Sequence, residues 1–477
     1  MRRFHTLLLP LFLFASSATA QTTWYVPADF PTIQAGIDGS SNGDTVIVDA
    51  GTYFENINFN GKAITLKSER GPVHTIIDAN QVGSVVTFNS SETVSSRLEG
   101  FGLRNGVGSL DATMNYLAGG GIFIESASPS IHDCHINNNS AAWGGGGIWC
   151  VGGSPELFGC WIWDNTAEFG GGILNYDSTM AVNGGAIWDN EADDGAGAYD
   201  LYASTVYTDV LFTNNIGITG GGLTVYGVCT PVLNNCIFAH NGSITGGAIL
   251  CMFGANATLN HCTITGNNAW EGGGLALIWT ANITNLNNCI FYGNSAGTGP
   301  QISGGTAVNA TYCDIEGGFP GTGNIDLDPQ LMNPLNNWRL ESTSPCIDAG
   351  DPASAPDPDG TRTDMGAVYY DQSANAPTLT LSNLVAGQTA IIEIENATGN
   401  DVCYFAWSLH GGGPTLTPWG DLLLTAPYQR ITMMTNAGGY ASHSVAVPPS
   451  AAGMQLWCHA ADAATQAFMN GLALVVQ

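Results

Sequence analysis

The chain has 477 residues, with 39 Asp and Glu against only 10 Lys and Arg, and 63 Gly, about 13% of the total. Charged residues make up 10% where roughly 25% is usual, and Gly is well above its ordinary share of about 7%. The scarcity of cations excludes a nucleic-acid binder, Gly without a three-residue period excludes collagen, and 44% hydrophobic content excludes a disordered acidic chain.

Residues 1–20 read as a secretory signal. Arg2 and Arg3 supply the positive start, Leu7 to Ala15 the apolar run, and Ala18-Thr19-Ala20 the cleavage site. The apolar run of about 11 residues is too short for a bilayer core that needs roughly 20, and no later stretch reads as a transmembrane span. The mature chain then has 8 basic against 39 acidic residues, a balance of −31. Export places the twelve Cys in an oxidising compartment.

The middle of the chain is a repeat. Gly clusters precede Ile122, Ile148, Ile173, Leu223, Ile249 and Leu275, and Ala198 fills the one gap. The steps between them are 25 or 26 residues. A second marker, Asn139, Asn165, Asn190, Asn215, Asn241, Asn267 and Asn294, keeps the same register, and Ile302 closes the series. Two markers in one register identify a repeat architecture. Each copy alternates apolar and polar residues, as in Cys134-His135-Ile136 and Cys262-Thr263-Ile264, which predicts short strands. A unit this small cannot bury its own apolar face but can do so when stacked at about 4.8 Å on its neighbours. The reading is a parallel β-solenoid of about 11 rungs. Gly serves the tight corners, and Asn serves left-handed backbone and side-chain ladders.

The repeats resemble those of the polymorphic outer-membrane proteins, marked by G-G-A-I and F-x-x-N. Here these are Gly246-Gly247-Ala248-Ile249, Phe212-Thr213-Asn214-Asn215, Phe238-Ala239-His240-Asn241 and Phe291-Tyr292-Gly293-Asn294. More broadly the chain resembles the pectin lyase-like right-handed β-helix superfamily. The stretches 26–34, 43–48 and 51–57 are similar to its N-terminal entry, in which a short helix, here near Pro31 to Asp38, plugs the first rung. Residues 344–351 and 357–367 resemble the closing segment of secreted bacterial β-helix proteins. The implied fold is all-β: a right-handed parallel β-helix over 21–370, a linker at 371–377, and a small β-sandwich over 378–477, whose short alternating runs are separated by Gly and Pro turns. The resemblance implies a secreted protein, extracellular or on the outer cell surface of a bacterium.

Cys134, Cys160, Cys236, Cys262 and Cys289 each lie five residues before a marker Asn, which predicts a buried column of thiols; bridges between rungs are the alternative. Cys403 and Cys458 share the C-terminal module and are the disulfide candidates.

Relatives in the superfamily cleave acidic polysaccharides with an essential Arg or Lys. Residues 105–338 contain neither, so that chemistry transfers to no residue here. A surface of this charge also repels a polyanion. The remaining catalytic candidates are carboxylates in register: Asp164 over Asp189 and Glu168 over Asp193, with Glu191 and Asp194 beside them. Such a cluster suits glycoside hydrolysis, a calcium ion, or simply an acidic face. Asp357, Asp359 and Asp364 form a partial calcium-loop pattern, for which a capping turn is the plainer reading.

Aromatics also keep register. Phe123, Trp149 and Tyr199 follow the aliphatic marker and are expected to face outward, as are Trp163 and Trp188. Outward stacked rings make a platform for sugars or a stabilising ladder. The functional expectation is a non-catalytic surface protein for adhesion or polysaccharide contact, with a polysaccharide-degrading enzyme as the alternative. The two differ in whether the carboxylates converge in a walled groove.

Overall fold

The computed structural model describes residues 21–477 except 112–114, 280–283, 305–307, 373–376, 410–414, 418–419, 423, 425–427, 437, 466 and 470. The expected signal at 1–20 and positions 373–376 of the expected linker lie outside the described residues.

Each turn of the coil gives one short strand to each of three parallel sheets. Among the described residues, sheet 1 has 12 strands, from Thr23–Val26 to Val308–Thr311. Sheet 2 has 11, from Gly51–Tyr53 to Asp314–Ile315, and sheet 3 has 10, from Ile57–Asn58 to Ile302–Ser303. This is a parallel β-solenoid of about 11 turns. The pairing is the one the repeat predicts: Ile122 lies beside Ile148, Ile148 beside Ile173, Ile173 beside Ala198, and Leu275 beside Ile302. The aliphatic markers point into the coil and form one continuous core with residues such as Leu157, Ile162 and Phe238.

Between sheets 2 and 3 the chain makes an excursion that the repeat did not reveal. Thr166–Phe169, Glu191–Asp194 and Ile216–Thr219 pair as an outer strip, bridged through Gly242 to Asn268–Glu271 and Ser295–Thr298. Gly145, Gly170, Gly195, Gly220, Gly246 and Gly272, all with φ between +58° and +69°, turn this strip back onto sheet 3. A Cβ at Gly170 would sit 2.3 Å from the Ile173 carbonyl oxygen, so no other residue fits. The Gly clusters therefore make a fold-back, which demands more of them than a corner does.

The marker Asn residues run up the inside of the corner after sheet 2, all buried. Asn165 Nδ2 donates to the Ile136 carbonyl of the turn before and to Asn190 Oδ1, which also accepts the Asn165 backbone N–H. The same pattern recurs at Asn190, Asn215 and Asn241 and ends where Asn294 donates to Gln301. The left-handed residue is the one before each Asn, such as Asp164 (φ +52°), Asp189 (φ +51°) and Asn214 (φ +55°). The two roles expected of one Asn are thus divided between neighbours.

The predicted thiol column forms: Cys134, Cys160, Cys236, Cys262 and Cys289 are buried and free, and Cys313 extends it. Burial pushes the Cys160 thiol up to about 12, so it stays protonated. The expected Cys403–Cys458 disulfide is absent, because both thiols are free. Their strands are adjacent and antiparallel, but Cys403 faces Asp462 and Cys458 faces Trp407. That offset of four residues puts their Cα atoms roughly 13 Å apart, far beyond bridging range.

At the N-terminal end, a helix over Ile33–Gly39 covers the first turn with Ile33 and Ile37. Thr32 caps it, and the Glu55 carboxylate accepts the Ile33 and Gln34 amides at 2.9 Å. Residues 324–370 run back along the outside of sheet 2. There Trp338, 2% exposed, packs against Ala186, Leu211 and Ile237. Among the described residues, the C-terminal part forms two larger antiparallel sheets and a two-stranded one, Thr415–Thr417 with Gly420–Leu422. One of the larger sheets holds Thr378–Ser382, Thr389–Glu395 and Ala441–Ala446; the other is built on Val402–Ser408, Gln429–Met434 and Gln455–Asp462. Leu379, Ile392 and Ile394 of the first sheet pack on Cys403, Phe405 and Cys458 of the second. Among the described residues no helix is long and apolar enough to cross a membrane.

Candidate functional site

On the outside of sheet 2, residues flanking each inward Ile or Phe form two columns. One contains His135, Trp161 and Ala186; the other Asn137, Trp163 and Trp188. The folded-back segment covers the later rungs, and the C-terminal sheets stand beside the earlier ones. A cleft remains between them. One part, about 220 Å³, is lined by Asp133 and Trp161 and by Tyr404, Tyr428, Arg430 and His459 of the C-terminal sheets. The adjoining part, about 210 Å³, is lined by Trp161, Trp188, Asp189, Leu211 and Asn214. Trp161 borders both.

The floor is aromatic. Trp163 and Trp188 stack face to face at 4.7 Å and 7°, both half-buried. His135 stacks on Trp161 at 5.0 Å, and burial pushes its imidazole down to about 4, so it is neutral and acts as part of the ring surface. On the opposite wall the Arg430 guanidinium lies 4.6 Å from the Tyr404 ring centroid and forms no ion pair among the described residues. The buried His459 has Nε2 at 2.9 Å from the Met469 carbonyl, to which it donates, and burial lowers its basicity. Asp133 is pushed up by burial and by Glu99, and Arg430 opposes that push.

The predicted site residues do not come together. Asp164 and Asp189 stack as expected, on the left-handed corner; burial first and Asp164 second push the Asp189 carboxyl up. Glu168 and Asp193 sit instead on the exposed face of the outer strip. Asp194 beside them is pushed up to about 6, by burial, then Asp193, then Glu168. The four carboxylates are thus two separate pairs on two elements, because the unforeseen strip carries the chain away from the corner. Only Asp189 of the four lines the cleft.

Three of the five aromatics were assigned to the wrong environment. Phe123, Trp149 and Tyr199 do point away from the coil core, but the outer strip covers them. Trp149 is fully buried, with Trp143 edge-on at 5.3 Å, and Phe169 stacks on Tyr199 at 5.8 Å. They offer no platform. Asp357, Asp359 and Asp364 hold turns together: their carboxylates accept the amides of Asp364, of Thr361 and Gln372, and of Asp348 and Tyr370 respectively. Among the described residues no group of three or more His, Cys, Asp or Glu is placed to hold a metal ion.

Sequence reasoning missed Trp161 and Arg430. Trp161 was legible as the partner of Trp163 in a W-x-W strand, and Arg430 as the sole basic residue after 362. It also missed a line of exposed aromatics at the corner after sheet 3, which no period marks.

The fold and this cleft define a parallel β-solenoid with an aromatic outer groove. A family model described as the Chlamydia polymorphic membrane protein repeat matches residues 133–151, the part of one turn from Asp133 to the end of the sheet 3 strand Ile148–Val151. Comparison with curated proteins finds no match. Among solved structures, a pectin methylesterase mutant in complex with a hexasaccharide aligns at 13% identity and a TM-score of 0.32, over 66% of this chain and 94% of that one.

Proposed function

We propose that this is an exported surface solenoid that holds glycan chains in the cleft outside sheet 2 and does not cleave them. The observation that carries the reading is Trp188, which lines the cleft beside Trp161, Asp189 and Asn214 and is held there by its stack on Trp163. Indole faces suit the apolar faces of sugar rings, and the flanking carboxylate and amide suit their hydroxyls. The repeat match to a membrane-protein family and the signal-like N-terminal sequence support a surface location.

The acid groups support binding without turnover. Among the described residues the carboxylates bordering the cleft are Asp133 and Asp189. They lie at opposite edges of sheet 2 and two turns apart, which separates their Cα atoms by roughly 18 Å at strand and sheet spacings. Glycosidases place their pair at about 5–9.5 Å. The test is a glycan array followed by titration of any hit. Trp163→Ala with Trp188→Ala is expected to weaken binding by about tenfold or more, with folding unchanged by circular dichroism. Binding unaffected by the double change, or release of reducing ends from a bound glycan, defeats the proposal.

A further inference from the structure

The corner after sheet 3 is left-handed in successive turns. Gly152, Asp177 and Gly227 occupy it at φ +60°, +45° and +86°, as small or polar residues do readily. Tyr202, Phe253 and Trp279 occupy the same position at φ +52°, +53° and +48°, where a bulky side chain is strained. Strain of this kind persists where the side chain has a use.

All three rings face solvent, at 51%, 42% and 61% exposure. With Tyr176 and Tyr226 they form an unbroken line along the coil. Successive centroids from Tyr176 through Tyr202, Tyr226, Phe253 and Trp279 are 6.4, 5.8, 4.8 and 5.1 Å apart. Gly227 gives Tyr202 its seat, since an added Cβ there would come within 2.4 Å of the Tyr202 ring. Beside Tyr202 the line opens into a shallow cavity of about 250 Å³, lined also by Gly153, Asp177, Thr179 and Ser204. Among the described residues nothing donates a hydrogen bond to the Asp177 carboxylate, which stays exposed.

An exposed carboxylate and hydroxyls beside a line of exposed rings, packed edge to face from Tyr176 to Tyr226 and tilted from there to Trp279, is chemistry that suits a polyol. The absence of Lys and Arg from 105 to 338 leaves no counter-charge for an anionic polymer. We infer that this corner is a second glycan-contact strip, which takes a neutral polysaccharide lying along the coil axis. Phe253 and Trp279, one rung apart, contact successive sugar rings, Tyr202 contacts a ring two rungs before Phe253, and Asp177 accepts hydroxyls at the Tyr202 end. The rung repeat of about 4.8 Å is close to the length of one hexose unit. The strip shares no residue with the cleft outside sheet 2.

The experiment is native affinity electrophoresis of the full chain in gels containing hydroxyethyl cellulose, xylan, galactomannan or polygalacturonate. At least one neutral polymer is expected to retard the protein, and polygalacturonate is not. Phe253→Asn with Trp279→Asn suits left-handed backbone and keeps the fold. It is expected to raise the apparent Kd for that polymer by about tenfold, while Trp163→Ala with Trp188→Ala leaves residual retardation. The inference is overturned if no neutral polymer retards the protein, or if the corner variant runs as wild type. It is equally overturned if the corner instead binds neutral phosphatidylcholine vesicles and the Asn changes abolish that. Loss of all binding in the cleft variant, with a silent corner variant, overturns this strip and leaves the cleft standing.

Discussion

Two corners of the same coil answer opposite demands. The corner after sheet 2 is filled from within by one residue type, and from Asn139 to Asn267 each Asn amide bridges to the next turn. The corner after sheet 3 has the same left-handed backbone but varies from Gly to Trp and faces water. A parallel coil must satisfy the buried backbone groups at its corners in every turn, so an inward corner residue repeats. An outward corner residue is released from that demand and is available for contact. In this molecule the regular positions report stability, and the irregular ones are where function is to be sought.

The comparison breaks first at the ladder. Asn215→Ala removes the acceptor of the Asn190 backbone and side-chain amides and the donor to the Ile187 carbonyl. Each orphaned buried group costs about 1–3 kcal/mol, so the loss is expected to be about 4 kcal/mol in total, read by denaturant unfolding. A change below about 1 kcal/mol would mean that water replaces the ladder, and the contrast between corners would lose its basis.

An effect of comparable size, but one that depends on pH, lies between the two corners, inside sheet 3. Asp200 is fully buried two residues before Tyr202, and burial pushes its carboxyl up to about 7. One of its oxygens accepts from Thr205 Oγ1 at 2.5 Å and from Tyr207 at 3.3 Å; the other has no partner. A carboxyl raised on folding stabilises fully below its unfolded value near 4. That contribution is lost as pH rises to about 7, at up to about 1.4 kcal/mol per pH unit. Asp200→Asn is expected to match wild type in thermal unfolding near pH 4 and to exceed it increasingly up to pH 7–8. A constant difference across that range would show that Asp200 stays charged in the coil.

The fold was legible because it repeats. Ile122 to Ile302 and Asn139 to Asn294 gave the period, and the period gave the register found in the sheets. The outer strip was not legible, because Thr166–Phe169 and Ile216–Thr219 share no residue pattern; only backbone pairing joins them. That one omission exposed Phe123, Trp149 and Tyr199 on paper and joined Asp164 to Glu168. Trp163 and Trp188 lie on sheet 2, which the outer strip does not cover, and are half-buried there, Trp188 against the cluster around Trp338. Arg430 reaches the cleft from a module with no period at all, so no register could place it.

The smallest effect is the most discriminating, because its size separates the two corners. At Phe253 the left-handed backbone (φ +53°) opposes the side chain, and the ring returns little by burial because it is 42% exposed. Replacing it with Gly removes a penalty of about 1–2 kcal/mol and forfeits ring contacts with Tyr226 and Trp279 worth about 0.5–1.5 kcal/mol each. Gly also adds backbone entropy to the unfolded chain, whereas Asn avoids that and tolerates the same φ. Phe253→Asn is therefore expected to change stability by less than about 1 kcal/mol in either direction, while Asn215→Ala is severely destabilising. Thermal unfolding of the two variants side by side decides it. If Phe253→Asn costs as much as the ladder change, the aromatic line is a structural element of the coil, and the outward corner is under the same constraint as the inward one.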